Sequence, residues 1–174
     1  SARKGLGKLT IFLTFGPLLT LGTGFAISSE TIILFSKEFY NLFFLGIPVG
    51  LLSTNILFIN QFPDYKSDKL AGKNNLVVVL GKKAARWVYL IFLSLTFIFM
   101  FYFVETLSES ISNFPLTLFY IFNSFLMIIG LLIVIHIFKN YNKRSLVRSN
   151  INTIYYQMIF SILYILVLNP FYFN

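Results

Sequence analysis

Long apolar runs alternate with short polar segments along this chain, and five runs reach or approach the roughly 20 residues a helix needs to cross a hydrocarbon core. They are Leu9 to Ile27, Leu42 to Phe62, Trp87 to Val104, Pro115 to Phe138 and Ile151 to Leu168. Continuously apolar runs of this length predict helices, because barrel strands would alternate in polarity and be about half as long. The expected fold class is therefore all-α, a polytopic bundle of five transmembrane helices in a lipid bilayer. Gly16, Pro17, Gly22, Gly24, Gly46, Pro48 and Gly50 fall inside the first two runs. In water they would argue against helix, but inside a membrane bundle they are tolerated as kinks and points of close packing.

Composition agrees, with 57% hydrophobic and only 11% charged residues, a balance far from that of a soluble domain. The absence of cysteine excludes disulfides and thiolate metal sites. A net charge of +8 would suggest nucleic acid in a soluble chain, but 13 of the 14 Lys and Arg residues lie in three places. These are the N-terminal flank (Arg3, Lys4, Lys8), the segment from Pro63 to Arg86, and the segment from Lys139 to Asn150. The intervening loops hold Lys37 with Glu30 and Glu38, and Glu105 with Glu109. By the positive-inside rule this alternation predicts that the N-terminus and both basic loops are cytoplasmic and that Phe171 to Asn174 lie on the opposite side. The positive charge is thus explained by topology, and no nucleic-acid partner is expected.

The residues that could carry chemistry are concentrated in one place, Asn60 to Arg86, which reads NQFPDYKSDKLAGKNNLVVVLGKKAAR. It contains both aspartates of the chain, Asp64 and Asp68, preceded by Asn60 at the same spacing of four. If the second span continues as helix, the three side chains share a face. Pro63, without an amide donor, would kink or break that continuation. Two carboxylates so spaced can share a hard divalent cation, and Mg²⁺ takes one or two carboxylates together with substrate phosphate oxygens. Lys66, Lys69, Lys73, Lys82, Lys83 and Arg86 supply positive charge for a polyphosphate. The alternative is a solvated loop in which the aspartates merely pair with neighbouring lysines.

The run with Asn60, Asp64, Asp68, Gly72, Lys73, Leu76 and Gly81 resembles the second aspartate-rich motif of the UbiA superfamily of intramembrane prenyltransferases. Pro63-Asp64, Asp68, Ala71-Gly72-Lys73, Leu76-Val77-Val78 and Leu80-Gly81 are most similar to the branch of 1,4-dihydroxy-2-naphthoate polyprenyltransferases. Lys4-Gly5-Leu6-Gly7, Phe15-Gly16-Pro17 and Leu21-Gly22-Thr23 are similar to that family's entry into its fifth helix. The resemblance implies that residues 1–174 match helices five to nine of a nine-helix domain, with the first aspartate-rich motif upstream. It therefore implies an incomplete chain, inactive in isolation. It further implies transfer of a polyprenyl group from an isoprenyl diphosphate to an aromatic acceptor. Mg²⁺ would be held by Asp64 and Asp68, Lys73 would contact the diphosphate, and Asn60 would orient a metal ligand or a phosphate. Arg86 is a weaker candidate for substrate binding, since a basic residue at the start of a span is expected from topology alone.

Among the other polar residues, Asn55 lies just over one turn deeper than Asn60 and is the best candidate to line the acceptor pocket. Gln61, Asn123 and Gln157 could do the same or simply join helices. The lone His136 reads as a packed or interfacial histidine. Two further function classes stay open. A transporter or channel would more often place ionisable residues at mid-membrane, and an assembly subunit would not require the ordered Asn and Asp spacing.

Overall fold

The computed structural model describes residues 3–27, 34–110 and 116–168, and all regular structure among them is helical. The first expected span is formed by two consecutive helices, α1 (Arg3–Phe15) and α2 (Pro17–Ile27). Next come α3 (Lys37–Ile59), two short helices α4 (Tyr65–Leu70) and α5 (Leu76–Leu80), and then α6 (Lys82–Ser110), α7 (Leu116–Asn140) and α8 (Val147–Leu168). Among the described residues, Gly7–Ile27, Lys37–Ile59, Lys82–Glu105 and Leu116–Asn140 are long and apolar enough to cross a membrane. The sequence predicts five spans. The fifth, Ile151 to Leu168, is helical throughout as part of α8, although α8 is not one of these four.

The break between α1 and α2 falls at Gly16, where Pro17 has no N–H to continue the helical ladder. The same point is where the two backbones of the first two spans come closest. A Cβ on Gly16 would lie 2.6 Å from the Gly46 carbonyl oxygen and 2.7 Å from the Gly50 Cα. Thr20 seals this crossing, donating from Oγ1 to the Leu42 carbonyl at 2.8 Å. Glycines on both helices thus permit an approach that larger side chains would prevent.

Polarity is distributed opposite to that of a soluble protein. Thr54, Asn55, Thr96, Asn123, Ser149 and Thr153 are buried, whereas Phe125, Ile128, Leu132, Ile162 and Ile165 are exposed. Such an exterior suits a lipid solvent, and the chain is an integral membrane bundle. Interior polar groups bridge helices: Asn55 Nδ2 donates to the Tyr89 carbonyl at 3.2 Å, and Tyr89 Oη pairs with Thr153 Oγ1 at 2.9 Å. His136 Nδ1 lies 2.7 Å from Ser149 Oγ, joining α7 to α8, which agrees with the reading of this histidine as a packing residue.

Side-chain contacts also define the two ends of the bundle. Phe44 near the start of α3 meets Tyr102 near the end of α6. At the other end, Arg86 near the start of α6 lies over the rings of Phe138 and Tyr141 at the end of α7, and Lys8 of α1 reaches Gln61 beyond α3. The basic segments therefore gather at one end, together with α4 and α5. Phe62 and Val77, each 0% exposed, fasten this polar loop to the apolar core.

Candidate active site

The segment after α3 does not simply continue as helix. The amides of Gln61 and Phe62 bond three residues back, to Phe58 and Ile59, so the chain tightens into turns before α4 begins at Tyr65. Pro63 lies where regular helical bonding is lost, as its missing donor requires. The expected single face for Asn60, Asp64 and Asp68 is therefore only half realised. Asp68 keeps its helical relation to Asp64, its amide donating to the Asp64 carbonyl at 2.8 Å, but Asn60 is set off by the turn. Asn60 and Asp64 are exposed, while Asp68 is buried.

Gly72 explains how Lys73 returns to Asp68. With φ at +66°, a conformation glycine adopts without Cβ strain, it ends α4 in a Schellman turn. The Lys73 amide donates to the Asp68 carbonyl at 2.9 Å and the Gly72 amide to Lys69 at 3.2 Å. This reversal brings the Lys73 ammonium to 2.8 Å from Asp68 Oδ1. The other oxygen, Oδ2, accepts from Asn75 Nδ2 at 2.7 Å. Asn75 is itself fixed, since its Oδ1 accepts from the Val78 amide at 2.9 Å and caps α5.

Hydrogen bonding and charge from Asp68, reinforced at longer range by Asp64, hold the Lys73 ammonium above the usual lysine range. A raised folded value keeps the cation through neutral pH, and the pairing is lost only as pH rises through that value. The neighbouring basic residues are less neutralised. Lys69 and Lys82 both lie over the Tyr65 ring, at 5.8 and 5.6 Å, and Lys66 is close enough to Lys82 to repel it.

The remaining candidates are placed elsewhere. Arg86 Nη1 donates to the Phe138 carbonyl at 3.2 Å, so its described partners are on α7 and in the turn after it, not on the aspartate loop. Asn55 is 0% exposed between α3 and α6, with Oδ1 unpaired among the described residues. Neither residue is brought against Asp68. Asn75 was missed by sequence reasoning, although an Asn immediately before the apolar run Leu76 to Leu80 is a helix-start signal. A groove of about 540 Å³ opens along α1, α3 and α8, lined in part by Ile11, Ser53, Leu57, Gln157 and Met158.

The donor set suits a hard cation. Asp64 makes no capping bond through its side chain, and each Asp68 oxygen accepts from one described partner, leaving acceptor capacity in a carboxylate with about four lone-pair sites. No group of three or more His, Cys, Asp or Glu residues among the described residues could hold a metal by itself, so any further ligands would come from outside them.

An apolar helical bundle with two carboxylates and a cluster of lysines at one polar end defines an integral membrane protein with a polar site at the bilayer surface. The UbiA prenyltransferase family matches residues 2–168, and the chain belongs to that family. It is 34% identical over 114 residues to UbiA prenyltransferase domain-containing protein 1 of Dictyostelium discoideum, covering 66% of this chain and 32% of that protein. It is 37% identical over 82 residues to 1,4-dihydroxy-2-naphthoate octaprenyltransferase of Escherichia coli (strain K12), covering 47% of this chain and 24% of that protein. Each match thus spans well under half of the relative's length. No solved structure matches the chain.

Proposed function

We propose that this chain contributes part of a single prenyltransferase domain that transfers a polyprenyl group from an isoprenyl diphosphate to an aromatic acceptor, with 1,4-dihydroxy-2-naphthoate of quinone biosynthesis as first choice. The observation that carries this reading is Asp68, buried and held by Lys73 and Asn75 beside exposed Asp64, at the polar end of a bundle of this family. In this reading Asp64 and Asp68 would hold Mg²⁺, and Asn60 would orient a ligand or phosphate oxygen. Bound there, Mg²⁺ supplies positive charge to the diphosphate oxygens. Lys73, Lys66 and Lys69 neutralise the diphosphate, where charge builds as the allylic carbon to oxygen bond breaks and the electron pair leaves with the phosphate. The acceptor ring carbon then bonds to the allylic carbon and the ring regains aromaticity as that carbon gives up what it carried, a proton to the released diphosphate or a carboxyl group as CO2, while the apolar helices keep the polyprenyl tail out of water. Arg86, near the start of α6, ties that helix to Phe138 and Tyr141 rather than reaching the diphosphate itself. Asn55 steadies α3 against α6 beneath it.

The direct test is transfer of a radiolabelled prenyl group to dihydroxynaphthoate by the full-length protein in lipid. Turnover is expected to stop when divalent cations are chelated and to return on adding Mg²⁺. Full turnover in excess chelator would sink the metal assignment, and absence of transfer to any aromatic acceptor would sink the reaction.

In the same reading the end carrying α4 and α5 faces the cytoplasm. Cysteines introduced at positions 67 and 145 are expected to react with an impermeant reagent only from the cytoplasmic side, and one at position 110 only from the other. Labelling of positions 67 and 110 from one side would overturn this topology.

A further inference from the structure

The two oxygens of Asp68 are held in unlike ways. Oδ2 accepts from Asn75 Nδ2 at 2.7 Å, and Asn75 is itself locked, because its Oδ1 caps α5 through the Val78 amide at 2.9 Å. That donor is neutral and belongs to a short helix anchored in the core by Val77. Oδ1 accepts instead from the Lys73 ammonium at 2.8 Å, on a side chain 66% exposed against 12% for that of Asp68. One oxygen is therefore tied to the frame of the loop, and the other to the tip of a long solvated chain.

The ammonium can leave without disturbing the fold. The reversal that follows α4 is held by the backbone amides of Gly72 and Lys73, and Asp68 is the only hydrogen-bond partner of the ammonium among the described residues. Its flexible four-carbon stem starts next to Gly72, where nothing lies within 4 Å of an added Cβ. An ion pair with an exposed partner is weakly held. A divalent cation on Oδ1 would repel an ammonium bonded to the same oxygen, so the two compete for it, while a diphosphate offers the ammonium more negative charge than one carboxylate does. When neither is bound, the ammonium keeps the buried carboxylate paired, which an isolated buried charge would require.

We propose that Lys73 is an exchangeable counter-ion of the site: it occupies Asp68 Oδ1 in the free protein, gives up that oxygen to the metal and passes to the substrate diphosphate. Asn75 is the positioning residue that keeps Oδ2 throughout and so holds the carboxylate in register during the exchange. This rests on the reading of Asp64 and Asp68 as metal ligands. It makes metal binding weak until the diphosphate draws the ammonium away, so that metal and prenyl donor favour one another on the protein.

The test is Mn²⁺ binding, without prenyl donor or acceptor, to the full-length protein in nanodiscs of neutral lipid, read from the electron paramagnetic resonance signal of free Mn²⁺. Lys73→Met keeps the stem and removes the ammonium, and is expected to bind Mn²⁺ about five- to tenfold more tightly than the parent, the scale of a charged hydrogen bond that no longer has to be displaced. Lys69→Met removes the same charge from a side chain that lies over Tyr65 instead, and should stay within about twofold of the parent. Asp68→Asn should bind more weakly than the parent, and adding Lys73→Met to it should bring no gain. A second measurement needs no variant: in the parent, Mg²⁺ alone should speed acylation of Lys73, followed by peptide mass spectrometry, severalfold more than that of Lys66 or Lys69. Equal Mn²⁺ affinity in Lys73→Met and Lys69→Met, or acylation of Lys73 that responds to Mg²⁺ no more than its neighbours do, would overturn the exchange. If Asp68→Asn is still weakened in that case, the metal site stands without it. Mn²⁺ affinity that Asp68→Asn does not lower would sink the exchange and the metal assignment together.

Discussion

Replacing Asp64 or Asp68 with alanine in the full-length protein is expected to lower the rate of prenyl transfer by about 10² to 10³, the loss typical when a group stabilising transition-state charge is removed. The two variants should differ in stability. Asp64 is exposed, and its removal is expected to change unfolding by no more than about 1 kcal/mol, as for other surface charges. Asp68 also accepts from Asn75, so Asp68→Ala gives up a hydrogen bond to a charged group, worth about 1.5–3 kcal/mol. Asp68→Asn separates the roles, because it can still accept from Lys73 or Asn75 while losing the anionic ligand. It should keep most of the stability and little of the activity. Lys73→Ala should raise the requirement for prenyl diphosphate, and added Mg²⁺ should not compensate. Glu109→Ala, at the far end of α6, is the control and should be nearly silent. Activity within about twofold of the parent for both aspartate variants would be far short of a lost metal ligand, and would reduce the loop to a solvated surface.

The second large effect is expected at the crossing of the first span and α3, where backbone lies against backbone. A methyl group on Gly46 would lie 2.6 Å from the Gly16 carbonyl carbon and from the Pro17 nitrogen, both backbone atoms that cannot swing away. Gly46→Ala must therefore push the helices apart, at a cost of about 1–3 kcal/mol for overpacking. Gly22→Ala is the matched control, since nothing lies within 4 Å of its added carbon, and it is expected to be neutral or slightly stabilising. Thermal unfolding in detergent compares them. Equal unfolding temperatures for the two variants would show that the close crossing does not contribute to stability.

Much of this protein was legible before folding. Apolar runs of bilayer length determine membrane helices because backbone groups in lipid must be satisfied within the segment, whatever else surrounds them. The segregation of lysine and arginine predicted that the N-terminal flank, the loop after α3 and the turn after α7 share one end. Lys8 beside Gln61 and Arg86 beside Tyr141 place them there. The aspartate motif was equally visible, because a helix end bearing Asn60, Asp64 and Asp68 beside lysines is a local pattern, and the family match bears out the resemblance it carried.

Other features depended on contacts between residues distant in sequence. Helical spacing suggested one face for Asn60, Asp64 and Asp68, but the turn at Pro63 and the core contacts of Phe62 decided that Asp68 is buried and Asn60 is not. The charge of Arg86 suggested phosphate, yet its ring and carbonyl partners come from α7, across about 50 residues of chain that no periodicity can span. By itself the sequence determined the solvent, the helices, the polar end and the acidic motif, since each follows from local composition and spacing. Only the tertiary structure decided which carboxylate is held by Lys73 and Asn75 and where a groove opens, because these depend on how separate segments meet.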